Sequence, residues 1–85
     1  YSLIGDTYME ENNFDEAARY YDKAANYKPN KYFSPAYLMK AALAFEKNNE
    51  EEKAIAAYDK IITEYYDTPE FQQARKFKAK LETQS

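Results

Sequence analysis

Tyr8 and Phe45, Ala17 and Ala54, and Tyr21 and Tyr58 each stand 37 residues apart. Three like pairs at one offset mean that a single structural unit occurs twice in this chain. Self-similarity at a period of a few tens of residues marks stacked supersecondary units, each too small to bury its own apolar face alone. Such units pack on their neighbours, which lets a short chain fold around a thin core. The offset therefore constrains this sequence more than any other feature of it.

The unit itself reads as two helices. Tyr1, Ile4, Gly5 and Tyr8 fall on one face at helical spacing, so a first helix is expected over about 1–11, with those four as its core face. Gly5 inside a helix costs about 1 kcal/mol against alanine, a cost that makes sense where a second helix crosses closely. Asn12-Asn13 supplies a turn, with Asn13 as N-cap and Glu16 three residues on in a capping-box arrangement. A second helix follows over about 14–27, burying Phe14, Ala17, Tyr21 and Ala24, and Pro29 lies beyond its end.

The second unit repeats this plan. Ser34-Pro35 restarts a helix, with Ser34 as N-cap and Pro35 at the first helical position. Leu38, Ala41, Ala42 and Phe45 take the places of Tyr1, Ile4, Gly5 and Tyr8, and Asn48-Asn49 repeats the turn. A fourth helix over about 51–65 buries Ala54, Tyr58 and Ile61. Thr68-Pro69 then opens a last helix to about Glu82, with Thr68 as N-cap and Phe71, Ala74, Phe77 and Leu81 along one side. One apolar and one wet face suit a helix that closes the end of a stack. One glycine, three prolines and abundant Ala, Glu, Lys and aromatics agree with an all-α chain.

The spacing Ile4-Gly5-x2-Tyr8, then Ala17-x3-Tyr21-x2-Ala24-x4-Pro29, resembles the tetratricopeptide repeat. The resemblance covers about 1–66 and implies an α-solenoid: two helix–turn–helix repeats, 1–30 and 35–66, and a capping helix, 69–83, five helices in a right-handed superhelix. The second repeat departs from the pattern at Glu51, which replaces an aromatic, and at Tyr66, which stands in place of the terminal proline. The longer arrangement, with its Ser-Pro inter-repeat connection and the stretch ITEYYDTPEFQQARKFKAKLE, is similar to the C-terminal part of bacterial membrane-anchored repeat proteins of the translocon-ancillary and Tol-Pal types. That likeness implies the periplasmic side of a bacterial envelope. Tyr1 is not an initiator methionine and the chain opens inside a motif, as expected of a piece of a longer protein.

The resemblance also implies a job: the first helix of each repeat lines a concave face that holds a peptide or partner protein. The expected concave positions are Ser2, Asp6 and Met9 on the first helix, and Ala36, Met39, Lys40, Leu43 and Lys47 on the third. Met39 and Leu43 are apolar where a solvated face would be polar. They can pack under the last helix or against the first, or they can floor a groove, and the two readings are compatible. Met9 adds an adaptable side chain suited to varied partners. Family members that bind chaperone tails clamp a terminal carboxylate with Lys and Asn; here Ser2, Asp6 and Lys40 hold the matching positions, and Asp6 repels a carboxylate. Binding of that type is not expected. The alternative is a structural segment of a longer array, or a unit that self-associates through its N-terminal end.

Other functions find little support. Twelve basic against fifteen acidic residues give a net charge of −3, a poor start for neutralising phosphates, so no nucleic-acid partner is expected. With no Cys and no His there is no Cys/His zinc site and no cofactor is implied. Serine occurs only at Ser2, Ser34 and Ser85, so no nucleophile–base pair can be drawn and a non-catalytic protein is expected. Glu50-Glu51-Glu52 sits at a helix start, where acidic side chains favour the dipole. No apolar run approaches the roughly 20 residues that span a bilayer, so no direct membrane contact is expected.

Overall fold

The computed structural model describes residues 2–84; Tyr1, expected on the core face of the first helix, lies outside them. Five helices run in order: α1 Ser2–Glu10, α2 Phe14–Asn26, α3 Ser34–Lys47, α4 Glu51–Glu64 and α5 Glu70–Gln84. There is no strand among the described residues, and no helix is long and apolar enough to cross a membrane. The chain is an all-α helical repeat. Packing is sequential: α1 lies on α2, α2 on α3, α3 on α4 and α4 on α5, with α3 also touching α5. The result is a slab of 32 × 29 × 15 Å.

Both α-hairpins turn by the same device. Asn12 and Asn49, themselves 37 residues apart, take left-handed backbone angles of φ 61° and 60°. Asparagine enters that region at little cost. Asn13 N–H then donates to Tyr8 C=O at 2.8 Å and Glu50 N–H to Phe45 C=O at 2.8 Å, while Asn12 and Asn49 donate to Met9 and Glu46 at 3.0 Å each. These are paired Schellman closures, which satisfy the last carbonyls of α1 and α3. The true equivalent of Asn13 is thus Glu50, one residue beyond the Asn48-Asn49 match. Asn13 caps α2 by accepting from Glu16 N–H at 3.5 Å, whereas Glu50 makes no side-chain cap bond. Glu50 instead accepts from Asn48 and Lys53.

Two expected caps do other work. Ser34 is the first residue of α3 rather than its cap, and it is buried. Its hydroxyl donates to Ala25 C=O at 2.7 Å and accepts from Asn30 N–H at 3.0 Å, tying the end of α2 to the inter-repeat connection. Thr68 is also buried; its hydroxyl donates to Tyr65 C=O at 2.6 Å and holds the turn before α5. The Ser34 hydroxyl is drawn inward to give the Ala25 carbonyl a donor, while Thr68 adds its hydroxyl to a Tyr65 carbonyl that already accepts from the Thr68 N–H at 3.3 Å.

The core forms two clusters on either side of α3. Ala17, Ala18 and Tyr21 of α2 meet Ala41 and Ala44, with Tyr8, Met9 and Phe45 packed around them. Leu38 and Ala42 meet Ala54, Ala57, Tyr58 and Ile61 of α4 and Ala74 and Leu81 of α5. Alanine at the crossings brings helices close, and tyrosine rings fill the remaining volume. Two details differ from the periodicity. Ile4 is 44 % exposed and is not core, because α2 meets α1 along Gly5 and Tyr8. Ala24 is only half-buried, and its neighbour Ala25 takes the buried place.

Candidate functional site

The first helices of the hairpins, α1 and α3, stand side by side with α5, and α2 and α4 lie behind them. Since α1 and α3 are not in close backbone contact, a hollow of about 400 Å³ opens between them, lined by Asp6, Met9, Glu10, Tyr21, Lys40 and Leu43. A second hollow of about 410 Å³ opens between α3 and α5, lined by Met39, Lys40, Leu43, Glu46, Tyr58, Phe77 and Lys80. Lys40 and Leu43 line both. The two hollows therefore form one groove across α1, α3 and α5, with Leu43 as the ridge between them. Leu43 is 46 % exposed, a large apolar side chain left in water.

Each hollow has a tyrosine of the rear helix in its wall, and each tyrosine is fixed the same way. Tyr21 reaches forward from α2 and its hydroxyl donates to the Asp6 carboxylate of α1. Tyr58 reaches forward from α4 and donates to Glu46 of α3. Tyr21 gets there by lying against Gly5, where a Cβ would stand 2.7 Å from its Cε1. The corresponding residue in the second repeat is Ala42. Ala42 carries a methyl and packs in the same cluster as Tyr58, whose hydroxyl meets its carboxylate about one turn further along, at Glu46.

Charge follows from these contacts. The Tyr21 hydroxyl holds the Asp6 carboxyl below its ordinary range, against burial, the next largest effect, and the Lys40 ammonium at 3.4 Å adds to the lowering. Burial first, and the facing carboxylate second, push both the Tyr21 and Tyr58 hydroxyls up, so each remains a neutral donor. Lys40 also lies 5.5 Å over the Tyr21 ring.

Of the residues expected on this face, Asp6, Met9, Met39, Lys40 and Leu43 line the groove. Met39 also packs on the α3–α5 core and Met9 on the α1–α2 core, so both readings of such residues hold at once. Ser2 begins α1, but its side chain lies outside the described set. Ala36 is half-buried and lines neither hollow. Lys47 lies 5.7 Å over the Phe14 ring at the start of α2, away from the groove. The groove also recruits Tyr21, Tyr58, Phe77 and Lys80, which periodicity assigns to core and to the closing helix. Only a rule for which rear-helix side chains pass between two front helices would find the tyrosines.

The tetratricopeptide repeat family profile matches residues 3–69. This chain belongs to the tetratricopeptide repeat family. Comparison with curated proteins and with solved structures returned no match. Tetratricopeptide repeats generally mediate protein–protein interaction and are generally non-catalytic.

Proposed function

We propose that this tetratricopeptide unit is a non-catalytic scaffold that holds a peptide or partner protein in the groove across α1, α3 and α5. The observation that carries the reading is the continuity of the two hollows through Lys40 and Leu43, with Leu43 half in water at their junction. Exposed apolar residues in a concave surface, set among a few oriented polar groups, suit recognition of another chain. Asp6, Met9, Met39, Lys40 and Leu43 are the contacts proposed; Ser2, Ala36 and Lys47 flank them. Replacing Met39 and Leu43 together with alanine is expected to abolish retention of a partner in a pull-down while leaving the fold intact by circular dichroism. A partner retained equally by the variant would sink the proposal.

A second reading has its own observation. Leu3 and Ile4 are 82 % and 44 % exposed on α1, an apolar edge that a further helix of an array, or a second copy, could cover. Sedimentation of the wild type beside Leu3→Lys/Ile4→Lys tests it: a self-associating wild type and a monomeric variant are expected. On resemblance alone, we place the unit among bacterial envelope repeat proteins on the periplasmic side, which fractionation of cells expressing the full-length protein would check.

A further inference from the structure

The two halves of the groove share a wall and differ in charge. The α1–α3 hollow holds the carboxylates of Asp6 and Glu10 against the Lys40 ammonium. The α3–α5 hollow holds the ammoniums of Lys40 and Lys80 against the Glu46 carboxylate. Three of these five groups already have partners: Asp6 has Tyr21 and Lys40, and Glu46 has Tyr58. Glu10 and Lys80 make no ion pair with a described residue. Both are exposed, one at each end of the groove. Between them run Met9, Leu43, Met39 and Phe77. The surface thus reads acidic, apolar, basic from α1 to α5.

We propose that the groove selects and orients a protein segment of opposite order: a basic residue beside Glu10, an apolar stretch along Leu43 and Met39, and an acidic side chain beside Lys80. This rests on the groove reading above. A uniformly acidic or basic segment meets like charge at one end, so the pattern rejects as well as attracts, and charge complementarity acts chiefly on specificity and register. Packed helices stand roughly 8–10 Å apart, and α1 and α3 are not packed on each other, so the ends lie more than two such spacings apart. An extended segment rising about 3.3 Å per residue covers that span with the two charges about six or more residues apart.

The chain's two methionines make the test direct, because Met9 lines one hollow and Met39 the other. A random-peptide library is selected on the immobilised protein, and each binder is titrated while both methionine methyl resonances are followed by NMR. Binders are expected to carry a Lys or Arg and an Asp or Glu about six or more residues apart around an apolar run, and to shift both methyls. Lys80→Glu is expected to weaken such a binder about fivefold at low salt, and replacing the peptide's acid by lysine to restore binding. Lys80 is exposed, so the variant keeps its melting temperature, which a thermal scan checks. Binders that shift both methyls with no charge order, or a Lys80→Glu variant whose preference does not reverse, overturn the charge pattern and leave the groove standing. Binders that move neither methyl, or a library without binders, overturn the groove and this inference together.

Discussion

Gly5→Ala is the sharpest probe of the α1–α2 crossing. A Cβ there would lie 2.7 Å from Cε1, 2.8 Å from Cδ1 and 3.2 Å from Cζ of Tyr21. Ordinary contact begins near 3.4 Å, so the ring or the helix must move by about 0.7 Å. The ring has little freedom to move. Tyr21 is 3 % exposed, packs on Ala17, Ala18, Ala41 and Ala44, and is fixed at its far end by Asp6. Two effects of opposite sign then compete. Alanine is the better helix former by about 1 kcal/mol, and overpacking a well-filled site costs about 1–3 kcal/mol. The net change is a loss of about 0–2 kcal/mol, too close to zero at one end to decide anything by itself.

The background decides it. In Tyr21→Val the Cδ1, Cε1 and Cζ positions are all gone, and only the helix-propensity gain remains. There Gly5→Ala is expected to stabilise by about 1 kcal/mol, so the same substitution changes sign between backgrounds. The coupling is about 1–3 kcal/mol, within the range found for residues in contact. Urea unfolding of the four proteins measures it, with the slopes compared to confirm that the unfolded state is unchanged. In a thermal scan, 1 kcal/mol corresponds to about 4–8 °C for a domain of this size. An equal gain in both backgrounds would refute the claim that Gly5 exists to admit the Tyr21 ring. Gly5→Leu adds three more carbons at the same place and should be the more damaging substitution.

The tyrosine–carboxylate pairs set a pH window. Asp6 titrates lower in the folded chain, so its contribution is complete above its ordinary value of 3.8 and is lost as pH falls through the folded value. Tyr21 titrates higher, so its contribution is complete below 10.0 and is lost as pH rises beyond it; Tyr21→Phe should shrink both limbs of the stability–pH curve, measured by urea midpoints. Ser34→Ala leaves the Ala25 carbonyl and Asn30 N–H without their partner, and a loss of about 1–3 kcal/mol is expected in the same assay. Asn12→Ala and Asn49→Ala should each cost about 1 kcal/mol for the left-handed backbone, while the matching glycine variants lose nothing, and equal melting temperatures for the Ala and Gly pairs would count against the strained-turn account.

The frame of this fold was legible in the residues because it rests on local rules. The 37-residue offset, the Asn turns and the Ala/Tyr stripes of α2 and α4 depend on helix periodicity and hairpin closure alone. What escaped depends on which helix crosses where. Ile4 keeps helical register with Gly5 and Tyr8, yet α2 crosses beside it and leaves it wet. Ser34 and Thr68 have the composition of caps, and a cap and an inward-turned hydroxyl look identical in sequence. Phe77 and Lys80 were readable as parts of an amphipathic helix but not as groove wall, since that role requires α5 to lie beside α3. Ala36 and Lys47 share the sequence stripe of Met39 and Leu43. They sit at the two ends of α3, beyond the reach of the hollows.

The groove owes its shape to what the two repeats copy and its character to what they exchange. A carboxylate for the rear tyrosine is present in both. It stands at Asp6 in the first repeat, whose counterpart 37 residues on is Leu43, and at Glu46 in the second, whose counterpart is Met9. The acid and the apolar residue have traded places across one helical turn. Each helix therefore keeps one acid to hold its tyrosine and one apolar side chain to face the groove. Had both repeats used the Asp6 position, an aspartate or glutamate would replace Leu43 and the ridge joining the hollows would be charged. Because they do not, the apolar strip continues from Met9 through Leu43 to Phe77, and the groove charges with no ion pair among the described residues stand at its ends, at Glu10 and Lys80. A duplication that merely repeated itself would present the same face twice; this one presents a surface with a direction.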